Sequence, residues 1–231
     1  MRPESSSPTS DAEPVRQWAV RVWDLPTRIV HWLMAALVVA SFATGKTGGN
    51  WMSLHMLSGY ALLSLLLFRL AWGAIGGRYA RFASFVRSPS AVWRYWTDLI
   101  RNRAPRYLGH NPMGGWSVVA ILTALMLQAV TGLFSNDDIL TEGPLYPLVS
   151  KAASDGLTRI HLFNQNIIVI LIVLHLAAVL FYWIVKKENL VVPMITGVKT
   201  WHQEAPPSGG NLWAAAAVMI AAAACVYFTV G

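Results

Sequence analysis

The sequence predicts an all-α integral membrane protein: a four-helix transmembrane bundle with a fifth, C-terminal transmembrane helix. Three observations carry that reading. Five apolar runs, Ile29–Thr44, Trp51–Ile75, Trp116–Phe134, Ile160–Val185 and Leu212–Val230, approach or exceed the ~20 residues that cross a bilayer. Only 13% of the 231 residues are charged, against the ~25% usual in a soluble domain. The charges that remain are sorted by sign into the connections between the runs.

That sorting sets the orientation. Arg78, Arg81, Arg87, Arg94, Arg101, Arg103 and Arg106 lie between the second and third runs, against Asp98 alone. Asp137, Asp138, Glu142 and Asp155 dominate the connection between the third and fourth, against Lys151 and Arg159. Lys186 and Lys187 follow the fourth. The positive-inside rule then places the basic connection, the end of the fourth span and the N-terminus in the cytoplasm, and the acidic connection on the far side. The net charge of +7 is explained by this localisation, not by nucleic-acid binding. A lone cysteine, Cys225 in the last run, excludes an internal disulfide, a Cys-x-x-Cys-His haem attachment and a cysteine-held iron–sulfur cluster.

In chain order, residues 1–17 read as a disordered cytoplasmic tail rich in Ser, Pro and Glu, not as a cleavable signal peptide. The membrane domain is expected over 18–200. Asp24 or Thr27 caps the first span and Pro26 suits its first turn. The short connection Gly45–Asn50 makes the first two spans antiparallel neighbours. Ala91–Arg101 reads as an interfacial amphipathic helix, with Trp93, Tyr95 and Trp96 towards lipid. His110, in the turn-like GHNPMGG, reads as an exposed loop residue. The third span has no histidine and offers Gln128, Thr131 and Gly132 near its far end. Residues 201–210 read as a linker, with His202 at the surface, and 211–231 as an accessory transmembrane helix that carries no charge or histidine.

The chemistry lies in four histidines inside spans. His161 and His175 are fourteen residues apart on the fourth span. That is roughly 21 Å of rise, and the two side chains return to within about 40° of each other. Polar side chains in a membrane helix are costly and usually functional. His55 starts the second span near the far side, level with His161, and His31 lies at the cytoplasmic end of the first, the partner in depth for His175. Two imidazole pairs, one near each surface, suit two haem irons with histidine on both axial positions. The depths of the second pair agree only if the fourth helix tilts or runs past the membrane. Gly59, one turn after His55, leaves room for a flat macrocycle, and Arg69 lies on about the same face towards the cytoplasm, as a propionate partner, a quinone-site residue or a snorkelling interfacial arginine. The rival readings are a transition-metal transporter and, more distantly, a proton channel. Both ordinarily need acidic or thiol groups within the spans, and here every Asp and Glu lies outside them.

VWDLPTRIVHW ending in His31 and Trp32, HMLSGY from His55, NPMGGW, QAVTGLF and the paired histidines of the fourth span together resemble the prokaryotic diheme membrane cytochrome b family. That family includes bacterial cytochrome b561 and the b-type subunit of nickel–iron hydrogenases. The resemblance covers about Val20 to Thr200 and leaves the fifth run outside. It implies two haem b groups held by His55 with His161 and by His31 with His175, in a multi-pass protein of the bacterial inner membrane. It further implies electron transfer between the quinone pool and a periplasmic partner, a c-type cytochrome or a hydrogenase. Arg28, Arg69 and Arg159 become candidate propionate partners. A stand-alone superoxide:quinone oxidoreductase is the alternative within the family, so quinone reductase or quinol oxidase activity stays open, as does homo-oligomerisation.

Overall fold

Helix formation begins where the sequence supplies a cap. In the computed structural model, which describes residues 17–139 and 141–231, Asp24 accepts the backbone N–H of Thr27 at 2.8 Å and starts α1, Leu25–Thr47, with Pro26 in its first turn. The tail expected over 1–17 lies outside the described residues up to residue 16. Gly48, at φ 66°, ends α1, and a single 3₁₀ turn, Gly49–Trp51, reverses the chain into α2, Met52–Ile75.

Two short helices follow, α3 (Phe82–Phe85) and α4 (Pro89–Ile100). Asn111 then caps α5, Pro112–Leu133, by accepting the N–H of Gly114 at 2.8 Å. The connection after α5 carries a 3₁₀ turn, Tyr146–Leu148, and leads into α6, Lys151–Ile184. After α6 come α7 (Val191–Thr196), a strand, and α8 (Leu212–Val230). Five of these helices, α1, α2, α5, α6 and α8, are long and apolar enough to cross a membrane.

The bundle consists of two antiparallel hairpins, α1 with α2 and α5 with α6, joined along α2 and α5. Leu62, Leu65, Leu66, Phe68 and Trp72 of α2 meet Leu122, Ala124 and Leu125 of α5 and Ile168 of α6 in one apolar core. Helix α6 packs along α5 but scarcely touches α1 or α2, so a gap runs between α6 and the first hairpin. The four intramembrane histidines face this gap in pairs.

Some elements differ from the sequence-based expectation. The expected accessory helix α8 packs against α2 and places Ala215 and Ala222 in the main core. The stretch 201–210 is tied down: Ser208 N–H donates to the Arg21 carbonyl at 2.7 Å, and Arg78 N–H donates to the Ser208 carbonyl at 2.6 Å. A two-stranded antiparallel ribbon, β1 (Trp18–Arg21) with β2 (Val198–Trp201), closes the end of the bundle where α1 begins and α6 finishes, and brings the two ends of the four-helix core together. In α4, Trp93 and Trp96 are exposed as expected, but Tyr95 is buried. Its hydroxyl lies 2.6 Å from that of Tyr182, which also accepts from the Asn111 side chain. A buried hydroxyl needs a partner, and α6 supplies it.

Candidate functional site

One pair, at the end expected to lie on the far side, is His55, in the first turn of α2, and His161, about three turns into α6. Their ring centres are 6.1 Å apart and the planes nearly perpendicular, at 84°. Each ring is oriented by a backbone carbonyl. His55 Nδ1 lies 2.8 Å from the Ser41 carbonyl, and His161 Nδ1 lies 2.9 Å from the Gln128 carbonyl. A carbonyl only accepts, so Nδ1 carries the proton in both rings and Nε2 keeps its lone pair for a ligand. This is the outer-shell arrangement that fixes the tautomer of metal-binding histidines and raises their basicity.

Two glycines make room for these rings. A Cβ on Gly45 would lie 2.8 Å from His55 Nδ1, and one on Gly132 would lie 3.0 Å from His161 Cε1. Gly132 therefore faces the ligand ring itself. Gly45 went unread in the sequence, because its meaning depends on a neighbour across the hairpin. Asn164, fully buried one turn after His161, fixes α6 on α5 by donating to the Ala124 carbonyl at 2.9 Å and to Gln128 Oε1 at 2.8 Å.

The second pair, towards the opposite end of the bundle, is His31, two turns into α1, and His175. Their ring centres are 6.5 Å apart. The depth mismatch expected for this pair is resolved by the length of α6. At 34 residues it is about 51 Å long and overhangs the core at both ends, with ten residues before His161 and nine after His175.

Both pairs can be tested against a shared metal. A metal between two imidazole nitrogens at ~2 Å each, with every ring centre ~1 Å beyond its nitrogen, sets the centres roughly 6 Å apart. The two observed separations fit. Among the described residues no three His, Cys, Asp or Glu side chains converge, so a metal held here would have at most two of these side chains as ligands.

The remaining candidates fall into place unequally. A Cβ on Gly59 would meet nothing within 4 Å, which leaves open space beside His55 for a flat group. Arg69 is buried, its Nη1 has no hydrogen-bond partner, and its guanidinium carbon lies 4.9 Å from the centre of the Phe82 ring. Gly73 gives Phe82 the space to reach it. Arg28 donates to the Ile195 carbonyl at 2.5 Å, and Trp32 Nε1 donates to the Met194 carbonyl at 3.3 Å, so α7 is held over the start of α1. Arg159 is exposed, two residues before His161 and so turned well away from its face.

His110 departs from the exposed loop position expected of it. Its ring sits between Trp23 and Phe85, with centres 4.9 and 4.7 Å away, and its Nδ1 is sealed from solvent without a partner. Buried Asp24 locks the same end of the molecule. Beyond capping α1 it accepts from Trp72 Nε1 at 3.2 Å and from the Gly77 N–H at 3.2 Å.

Comparison with known proteins agrees with this architecture. The family model described as prokaryotic cytochrome b561 matches residues 22–197. The chain is similar to a protein named probable Ni/Fe-hydrogenase B-type cytochrome subunit from Azotobacter chroococcum, at 25% identity over 88% of this chain and 98% of that one. It is similar to the protein of the same name from Azotobacter vinelandii, at 24% identity over the same shares. Its counterpart in Cupriavidus necator is 23% identical over 79% of this chain and 87% of that one. No solved structure matches.

Proposed function

This chain belongs to the prokaryotic cytochrome b561 family, and on that premise we propose that it carries electrons across the bacterial inner membrane through two haem b groups. One is held by His55 and His161, the other by His31 and His175. The carrying observation is the pair of ring separations, 6.1 and 6.5 Å, at two depths on one face of α6. With two histidines to hold each haem, the group would supply one-electron transfer rather than oxygen binding.

The chain's own residues do the rest. The Ser41 and Gln128 carbonyls hold the two far-side imidazoles as neutral Nε2 donors. Ile168, buried in the core one face-repeat from each helix-six histidine, keeps water out of the space between the two levels. The acidic far-side connection is pinned to α6: Asn136 donates to Ser154 Oγ at 2.6 Å, and Ser154 donates to the Phe134 carbonyl at 2.6 Å. That gives the far-side site a firm surface for a soluble redox partner with a basic face. Quinone exchanges at the opposite end, near α1 and the arginine-rich connection. The names of the relatives favour a hydrogenase as the far-side partner.

Quinol reduction of the purified protein tests this reading. A short-chain quinol added to oxidised, haem-loaded protein in detergent should reduce both b-type centres, and His31→Ala should slow that reduction at least tenfold. Full haem loading with no reduction by any quinol would remove quinone from the account.

A further inference from the structure

A buried charge without a partner needs an explanation, and Arg69 is one. It is 8% exposed. Its Nη1 meets no acceptor, and among the described residues it forms no salt bridge. An unpaired buried cation costs several kcal/mol, so such groups are normally matched by an anion. The nearest candidate within the chain is Asp24, but its carboxylate is occupied by the N–H groups of Thr27, Trp72 and Gly77. The aromatic face of Phe82 offsets part of the charge without satisfying the N–H groups.

His110 presents a second orphan at the same end. Its Nδ1 is buried and unpartnered, and its ring is clamped between Trp23 and Phe85, which leaves little freedom to turn towards water. Burial above all, and then the charges of Arg69, His175 and His31, push its pKa down to about 3. The ring is therefore a neutral imidazole with an unused nitrogen. Phe85 is itself adjacent to Phe82, 5.7 Å between centres, so one aromatic cluster supports both polar groups.

We propose that Arg69 and His110 form a cradle for a carboxylate of the cytoplasmic-side haem, with Arg69 as counter-charge and His110 as a neutral N–H donor. This rests on the two-haem reading above. His110 is thereby a positioning residue, tuning the site held by His31 and His175 without touching the iron.

The test is a potentiometric titration of the haem-loaded protein. His110→Phe preserves the stack with Trp23 and Phe85 and removes the donor. It should lower the midpoint potential of the cytoplasmic-side centre by an amount equivalent to a tenfold loss of preference for the reduced form, ~59 mV for a one-electron couple. His110→Gln, which restores an N–H donor, should recover part of the shift. Arg69→Gln should lower the same centre further, and the His55/His161 centre should not move in any variant. Unchanged potentials in His110→Phe and Arg69→Gln would overturn the proposal, as would an equal shift of both centres. Unchanged potentials with an altered quinol KM would put a quinone carbonyl in the cradle and overturn it equally. Failure of the wild-type protein to bind haem would instead strike the two-haem reading itself.

Discussion

Gly45 and Gly132 bear on the far-side site as directly as the histidines they face. Each is small because an imidazole occupies the space beside it. Gly45→Ala should displace the His55 ring, break its bond to the Ser41 carbonyl and cost the far-side haem while the cytoplasmic one is kept. Haem quantification per chain checks this, and full retention of both haems would show that the ring can shift without loss. Asp24→Ala removes a helix cap and leaves the buried Trp72 indole without an acceptor. Those two losses add to about 2–4 kcal/mol, so the variant should lose thermal stability in detergent, read as an earlier unfolding midpoint. At this scale the sequence was legible where a residue type is costly in its surroundings. A histidine in a membrane span advertises itself, and a fourteen-residue spacing pairs two of them on one face. Gly45 and His110 were not legible, since nothing along the chain says that the one faces a ring across a hairpin or that the other packs between two aromatics.

Helix α6 organises the elements. Its inner face carries His161, Ile168, His175 and Tyr182 at successive seven-residue steps, two histidines separated by an apolar spacer and followed by a polar anchor to α4. Its overhang explains how a histidine deep in one helix meets a histidine near the start of another, which span lengths read from hydropathy could not settle. Helix α8 was legible as a span but not as a packed one. Its alanine-rich sequence reads as featureless, yet small residues let helices approach closely, and Ala215 and Ala222 do so against α2. Because α8 packs on α2 and scarcely touches α6, deletion of 211–231 should leave two haems per chain and lower thermal stability. Loss of either haem would show that α8 shapes the site. Tyr95→Phe should leave the Tyr182 hydroxyl with one partner fewer and loosen α4 by about 1 kcal/mol, detectable as faster proteolysis of the segment around Arg101.

The whole molecule is a transmembrane scaffold whose two ends differ in kind. The end proposed to face the cytoplasm is built from a β ribbon, α7, a pinned linker and the Asp24 lock. The far end is an acidic loop held by Asn136 and Ser154. The count of spans and their antiparallel order were legible from run lengths and short connections, which the bilayer itself dictates. The ribbon between β1 and β2 was not, because it joins four-residue segments almost 180 positions apart, and such short strands carry no periodic signal of their own. The proposed orientation predicts that an alkaline phosphatase fusion is active after Gly231 and inactive after Arg103; the reverse pattern would invert the molecule.

The pairing of four histidines at two levels is the central claim, and haem stoichiometry by the pyridine haemochrome assay in the four single His→Ala variants tests it most directly. The account predicts two haem b per wild-type chain. His55→Ala and His161→Ala should lose the same one, and His31→Ala and His175→Ala the other, with each variant's remaining spectrum matching that of its pair mate. A wild-type ratio of one, or variants of a supposed pair that lose different haems, would contradict it.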